Sequence, residues 1–396
     1  MTPDEQRVLD LIDADEIGEL AAALVRASGA NPPGDEGPAA DVLAEACRSR
    51  GLSVTCTEVE PGRPNVSATV SGGKGPGLLL LGHTDVVPVG DGWSMSPFSG
   101  EIRDGRLFGR GSADMKGGLA ACAVAMAALH ASGIALPGPV ELAAVVDEEE
   151  TGKGIRHYLT TVSAGALDRF AGCVVAEPTE LATVVAARGD SYLEVGVTGK
   201  AAHSGSPDQG ANAIAGATLV VAELERMNAT LAADAHPLVG AATWSVGTIR
   251  GGTGTSTVPA ECVLTADRRL LPRESGDAVL AETVARIDAL DLPQRGLGVD
   301  VRMTMEMPGF ETPAGHPLVS TAREAVAAAG GPDLPVAGWT AACDGGYVAR
   351  DAGLPVVVLG PGSVATAAHQ ADESVAVHEL WLAARAYALC AMRMRG

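Results

Sequence analysis

Apolar and polar positions along the first half of the chain follow helical and strand periods in turn. Apolar residues near helical spacing predict one leading helix, and a second follows over residues 39–51, where Gly51 is a typical C-cap. The apolar residues of the leading helix are Val8, Leu9, Ile12, Ile17 and Leu20. Five apolar runs predict strands, with helical stretches between the last three: residues 52–59, 65–72, 77–85, 140–149 and 173–178. This order is typical of a parallel or mixed sheet covered by helices on both faces.

The pattern changes near residue 188. Residues 190–198 alternate polar and apolar side chains, as a strand with one solvated face does. The pattern then predicts a helix, two strands, a helix and a strand, over residues 211–228, 242–251, 261–269, 276–289 and 298–306. This is a ferredoxin-like βαββαβ unit. After Pro308 the first pattern resumes, with a helix over 317–329 and a strand over 354–362.

We therefore predict an α/β protein in which one domain is inserted into another. The outer domain, residues 1–187 plus 309–396, has a mixed sheet in an α/β/α arrangement, and the inserted domain comprises residues 188–308. A length of 396 residues supports two domains, because one hydrophobic core rarely organises so long a chain.

Composition and charge narrow the function classes. The net charge of −21 creates a field that repels nucleic-acid phosphates and anionic lipids, so we expect neither a nucleic-acid nor a membrane partner. The N-terminus lacks the basic region of a signal peptide, and the apolar stretch 117–129 is too short to span a bilayer. Seven scattered cysteines without a C-x-x-C pair favour reduced thiols and a cytoplasmic location.

Acidic and imidazole side chains lie at the ends of three consecutive predicted strands. The run LLLLGHTD ends in His83 and Asp85, VVDEEE ends in the glutamates 148–150, and VVAEPT contains Glu177. A Gly-rich loop before a helix adds Asp114. Because strand ends in open α/β sheets converge on one crevice, we expect these side chains to lie close together.

Each of these residues alone has an ordinary structural explanation. A lone histidine is usually a satisfied polar residue, an acid before a helix is usually an N-cap, and an acidic run is usually a solvated loop. Together, however, four or five carboxylates in one crevice repel one another strongly unless a multivalent cation compensates. Carboxylates with histidine and without thiolates suit a hydrolytic zinc, cobalt or manganese site.

Seven short motifs occur in a fixed order: GHTDVVP, GRGSADMKGG, VVDEEETGKG, EPT, GKAAHSGSPDQGANAI, DRRLLP and AAHQADES. In this order the chain resembles, over essentially its whole length, the metallopeptidase and deacylase family that includes acetylornithine deacetylase, succinyl-diaminopimelate desuccinylase, aminoacylase and carboxypeptidase G. The resemblance implies that the outer domain is catalytic and that the inserted domain is a lid or dimerisation domain.

The resemblance also implies two metal ions, Zn²⁺ or Co²⁺, in each subunit. His83 and Glu177 would hold one ion, Glu149 and His369 would hold the other, and Asp114 would bridge them.

Two further residues of this site are implied. Asp85 would orient the imidazole of His83 without binding a metal itself. Glu148 would be the general base that takes a proton from the attacking water. The run of three glutamates also permits an alignment shifted by one residue, in which Glu150 takes part instead of pointing to solvent.

Three residues of the inserted domain match positions that act in relatives. His203 would reach the active site of a partner subunit and stabilise the oxyanion, so we expect a homodimer. Arg269 and Asn212 match positions that contact the substrate or shape domain closure. Ser256 stands where relatives often have Asn, a departure that bears on the contacts to a substrate carboxylate.

The function expected from these residues is metal-dependent amide hydrolysis in amino acid metabolism. The favoured reaction removes the acyl group from a small N-acyl amino acid, as in acetylornithine deacetylase or succinyl-diaminopimelate desuccinylase. A metallo-carboxypeptidase or dipeptidase acting on short peptides is the alternative, because the same machinery serves both. A non-catalytic metal-binding relative is a third hypothesis, which the complete set of ligand positions disfavours.

Overall fold

The computed structural model describes residues 1–162 and 165–394. This part of the chain divides into two units, one formed by residues 1–162, 165–185, 311–337 and 344–394 and the other by residues 186–310 and 338–343. Its α-helices are α1 (Pro3–Leu9), α2 (Ala14–Arg26), α3 (Gly37–Ser49), α4 (Gly117–Ser132), α5 (Lys153–Thr161), α6 (Ala213–Leu231), α7 (Gly276–Asp288), α8 (Pro317–Ala329), α9 (Gly345–Ala352) and α10 (Val377–Arg393).

The strands of the same described residues fall into three sheets. They are β1 (Ser53–Glu60), β2 (Arg63–Val70), β3 (Gly77–His83), β4 (Glu101–Arg103), β5 (Arg106–Phe108), β6 (Val140–Val145), β7 (Phe170–Val175), β8 (Val184–Ala187), β9 (Gly189–Thr198), β10 (Thr243–Gly251), β11 (Glu261–Leu270), β12 (Gly298–Met307), β13 (Phe310–Glu311), β14 (Ala337–Trp339), β15 (Val356–Val358) and β16 (Ser374–Ala376).

The first unit is built on a nine-stranded mixed sheet. The strand order is β1-β2-β6-β3-β7-β15-β8-β13, and β14 pairs with β8. Strands β6, β3, β7 and β15 run parallel, whereas β1, β2 and β8 pair antiparallel with their neighbours. The predicted α/β class with a mixed sheet is confirmed.

The central strand β3 is buried on both faces of this sheet. Leu78 and Leu80 pack in the main hydrophobic cluster with α4 and α10, while Leu79 and Leu81 are buried on the opposite face. Helices α5 and α9 pack against each other and against β6, β7 and β15. Burial on both faces explains why β3 is a continuous apolar run, since neither set of alternate side chains meets water.

Helix α4 lies in the core of the first unit, as the sequence predicts. Within the described residues, Ser112–Ser132 is the one helical stretch long and apolar enough to cross a membrane. Of its most apolar 18-residue segment, 78% is buried inside the protein. Its alanines and glycines allow close packing on the sheet and on α10. Burial in the core therefore explains the apolar character of this stretch.

The N-terminal segment forms two helices, so the prediction of one leading helix was wrong. Helix α1 ends at Leu9, and α2 begins at Ala14 after the N-cap residue Asp13. The Asp13 carboxylate accepts hydrogen bonds from the N–H groups of Asp15 and Glu16. This cap satisfies N–H groups of the first turn and fixes the start of a new helix.

The second unit has its elements in the order βαββαβ. Its antiparallel sheet has the order β10-β11-β9-β12, with β9 between β11 and β12. Helices α6 and α7 bury their apolar side chains against one face, where Val195, Val220 and Ile287 share a cluster. Its role as a lid or dimerisation domain stays a prediction.

A small antiparallel sheet joins two distant parts of the first unit. Its order is β16-β5-β4, with Ser374 opposite Phe108. The loop that follows β5 therefore lies beside the loop that precedes β16. The first is the Asp114 loop, residues 109–116, which ends in the π-helical turn Ser112–Lys116, where Asp114 itself has non-helical φ and ψ. The second contains His369.

Candidate metal centre

Three parallel strands end at one edge of the large sheet. His83 is the last residue of β3 and lies opposite Val145, the last residue of β6. Glu148 and Glu149 follow β6, and Glu177 follows β7 two residues after its end. The parallel register therefore brings these side chains to one edge, as the strand-end rule predicts.

Five side chains form two groups that share Asp114. In the His83 group (His83, Asp114, Glu177), His83 Nε2 lies 3.3 Å from Asp114 Oδ1 and 3.3 Å from Glu177 Oε1. In the His369 group (Asp114, Glu149, His369), His369 Nε2 lies 3.4 Å from Asp114 Oδ2 and 3.2 Å from Glu149 Oε2. The ligand atoms of each group lie within 4.8 Å of one another. Each oxygen of Asp114 thus faces a different group.

The hydrogen bonding of these carboxylates fits a cation in each group. Glu149 Oε1 and Glu177 Oε2 are buried without a hydrogen-bond partner among the described residues. A buried carboxylate oxygen without a donor is costly, and a metal ion is the partner that would satisfy it. The mixture of carboxylate oxygen and imidazole nitrogen is a donor set that zinc, cobalt and manganese accept.

The electrostatics of the cluster lead to the same conclusion. Burial, assisted by the charge of Asp114, raises the pKa of Glu177 to about 8, although His83 opposes the shift. Burial also raises the pKa of Glu148 well above its ordinary value. Hydrogen bonds to Asp114 and to a second carboxylate raise the pKa of His369 to about 10. The cluster therefore has more carboxylates than its imidazoles compensate, and divalent cations would supply the missing positive charge.

Glu148 lies beside the ligand groups without belonging to either. Its Oε2 is 3.9 Å from His83 Nε2, and its side chain is largely buried. Glu150, the alternative in the shifted alignment, is exposed. The turn places Glu148 and Glu149 toward the cluster and Glu150 toward solvent.

Asp85 holds this turn in place. Its Oδ1 accepts the N–H of Glu148 at 3.2 Å, and its Oδ2 accepts the N–H of Glu149 at 3.1 Å. The Nδ1 atom of His83 lies 2.9 Å from the Asp85 carbonyl oxygen and 3.5 Å from Asp85 Oδ1. The backbone carbonyl, rather than the carboxylate, is therefore the nearer partner of the imidazole.

The other predicted site residues lie in the second unit. His203 is exposed, and its Nδ1 accepts the N–H of Gly205. Arg269 pairs with Asp190 and with Asp267, at 3.2 and 3.0 Å. Asn212 is the N-cap residue of α6, where its side chain accepts an N–H of the first turn. Each has partners within its own unit, and the roles taken from the resemblance stay predictions.

A buried polar network behind the metal centre was not predicted from the sequence. Asn31 Nδ2 donates to Asp85 Oδ2 at 3.0 Å and to Asp147 Oδ1 at 3.1 Å. Arg63 Nη2 donates to Asp147 Oδ1 at 2.9 Å, and Arg63 Nε donates to Glu36 Oε2 at 2.8 Å. The network joins residues up to 116 positions apart, so no local motif reveals it. The only sequence signal is the presence of polar residues beside apolar runs.

Replacing Arg63 with Met should lower the free energy of unfolding by about 3–5 kcal/mol, because the buried Glu36 and Asp147 carboxylates would lose their cation. Urea unfolding of the metal-loaded protein measures this change. Arg302→Met is the matched control, since Arg302 pairs with Glu194 on the surface. An Arg63→Met protein as stable as the control would contradict the expectation.

The fold and the two ligand groups define the class of protein: a metal-dependent hydrolase. The chain belongs to peptidase family M20/M25/M40, whose model matches residues 79–393. The protein is therefore a metal-dependent hydrolase acting on amide bonds, and the resemblance inferred from the seven motifs is confirmed.

Individual relatives agree with this assignment. An acetylornithine deacetylase of Vibrio vulnificus is 33% identical over 359 residues, which cover 88% of this chain and 90% of that protein. A metallo-carboxypeptidase of Sulfolobus solfataricus has the same fold, with a TM-score of 0.77, 18% identity and 99% of each chain covered. A dinuclear metal-binding peptidase of Bacillus subtilis aligns with a TM-score of 0.72 and 15% identity, over 96% of this chain and 97% of that one.

Proposed function

We propose that this protein is a dinuclear metallohydrolase that removes the acyl group from an N-acyl amino acid, of the acetylornithine deacetylase or succinyl-diaminopimelate desuccinylase type. The observation that carries the proposal is the division of Asp114 between two ligand groups, with one oxygen toward each. Near full-length similarity to acetylornithine deacetylases supports the choice of substrate class. Binding of two metals by the structural relative from Bacillus subtilis supports the number of ions.

The His83 group and the His369 group would each hold one Zn²⁺ or Co²⁺ ion. When bound, the ions would polarise the scissile carbonyl and make water more acidic. Glu148, held over the cluster by the Asp85 contacts to its turn, would accept a proton from the attacking water and deliver it to the leaving nitrogen. Asp85 would keep His83 and the glutamate turn in fixed orientation.

The second unit would complete the site as a lid or dimerisation domain. His203 is exposed, as a residue that contributes to the site of a partner subunit has to be, and it would stabilise the oxyanion in a homodimer. Arg269 and Asn212 would contact substrate or support closure. The acetylornithine deacetylases of Vibrio vulnificus and Aliivibrio salmonicida among the relatives support a cytoplasmic location.

A substrate panel tests the proposal. With Zn²⁺ or Co²⁺ added, we expect kcat/KM for Nα-acetylornithine or N-succinyl-diaminopimelate to exceed that for dipeptides by about a hundredfold, the discrimination that a shaped pocket achieves. Chelator-treated enzyme is the control for metal dependence. Turnover of dipeptides alone would replace the deacylase proposal with the carboxypeptidase or dipeptidase alternative.

A further inference from the structure

Glu373 belongs to neither ligand group, but it contacts the backbone of the loop that carries Asp114. Its side chain is buried, with 1% of the residue exposed. Glu373 Oε1 accepts the N–H groups of Ala113 and Asp114, at 2.9 and 3.0 Å. Glu373 Oε2 accepts the N–H of Gly111 at 3.1 Å and a hydrogen bond from Arg110 Nη1 at 2.7 Å. One carboxylate thus fixes the backbone of this loop at three N–H groups.

Arg110 extends the same contact to two other loops. Its Nη1 also donates to the carbonyl oxygen of Gln370 at 3.2 Å, next to His369. Its Nη2 donates to the carbonyl oxygens of Pro88 and Val89, at 3.4 and 3.2 Å. The Arg110 guanidinium therefore links the His369 loop with the segment that follows β3.

The backbone supports this arrangement. Strand β16 pairs with β5 directly beyond the two loops, and the N–H of Gly109 donates to the carbonyl oxygen of Glu373 at 2.9 Å. His369 itself has a φ of 61°, in the left-handed region that non-glycine residues avoid. Such a backbone persists only where surrounding contacts enforce it.

The two ligand groups depend on these contacts to different degrees. His83 ends β3 and Glu177 follows the neighbouring strand β7, so the register of the large sheet fixes both. His369 lies in a loop, and its side chain is 53% exposed. Asp114 lies in the π-helical turn that precedes α4. The His369 group therefore takes two of its three ligands from segments outside the sheet, which Glu373 and Arg110 tie together.

We propose that Glu373 and Arg110 are positioning residues that set the separation of Asp114 and His369, and thereby control the affinity of the His369 group for its metal ion. The inference rests on the proposed dinuclear function, and it assigns to the pair a role specific to one of the two ions. Residues behind metal ligands commonly change metal affinity about 10–100-fold when replaced.

Glu373→Gln tests this role. The amide keeps the size of the side chain and one acceptor, but its NH₂ group would face the Gly111 N–H and Arg110 in place of Oε2. The metal-free variant is titrated with Co²⁺, and binding is followed by visible absorption and calorimetry. One site should keep the affinity that it has in the wild type. The second site should be weakened about 10–100-fold.

Glu141→Gln is the matched control. Glu141 is also a buried glutamate paired with an arginine, Arg169, but it lies near the start of β6, at the end of the strand away from the metal centre. We expect this variant to bind two Co²⁺ ions as the wild type does. Arg110→Lys, which keeps the charge but loses the forked donor geometry, should reproduce the selective weakening even if Glu373→Gln does not fold.

The outcomes separate the two proposals. Unchanged affinity of both sites in Glu373→Gln and in Arg110→Lys would overturn the positioning role and leave the dinuclear function intact. Equal weakening of both sites would also overturn it, since it would show no selectivity for the His369 group. Failure of the wild-type protein to bind a second Co²⁺ ion would overturn the dinuclear function itself.

Discussion

Replacing Glu148 with Gln should lower kcat by about 10²–10⁴-fold, the contribution of a positioned general base. The substitution removes the proton acceptor while keeping the shape of the side chain, and Glu148 is not a member of either ligand group. Metal content should therefore stay at the wild-type value. Steady-state kinetics with the best substrate of the panel, together with metal analysis of the same sample, measure both quantities.

Glu150→Gln is the matched control for this prediction. The side chain of Glu150 is exposed and belongs to neither ligand group, so its amide should change the activation free energy by no more than about 0.5 kcal/mol, or about twofold in kcat. If the Glu150 variant alone lost activity, the alignment of the three glutamates would be shifted by one residue. The base would then have to be assigned again.

Replacing Asp114 with Ala should abolish activity and the binding of both metals, because each oxygen of this carboxylate serves a different ligand group. Added Zn²⁺ should stabilise the wild-type protein by about 2.7 kcal/mol for each ion bound, at about 100 times the Kd of its site, and this stabilisation should disappear in the variant. Thermal unfolding with and without Zn²⁺ measures the loss.

Asp300→Ala is the control for the aspartate substitution, since Asp300 is exposed in the second unit. It should keep the metal-dependent stabilisation. An Asp114→Ala protein that still binds two ions would rule out a bridging role for this carboxylate.

Periodicity was sufficient to predict most of the fold. The predicted helix over 317–329 coincides with α8, and the elements of the second unit agree within a few residues. These elements have one apolar and one polar face, so the period of apolar residues within each segment predicts its secondary structure. The short strands β4, β5 and β16 were not predicted, because three residues are too few to establish a period.

The site was predictable only in part. The convergence of His83, Glu148, Glu149 and Glu177 follows from the ends of parallel strands, a rule that needs no knowledge of relatives. The place of His369 came only from the resemblance, because a loop residue more than 250 positions after Asp114 has no local pattern that relates it to the strand ends.

The supporting residues were harder to predict. The contacts of Glu373 with the N–H groups of residues 111–114 join positions about 260 apart, and a single glutamate in a polar loop is ordinary in any sequence. Arg63 and Asn31 are in the same situation. Their importance depends on burial, which becomes visible only when the chain is folded.

The unequal exposure of the two histidine ligands has a kinetic consequence. The imidazole of His83 is 1% exposed and that of His369 is 53% exposed. An ion at His83 would dissociate slowly, whereas an ion at His369 would exchange readily with the medium.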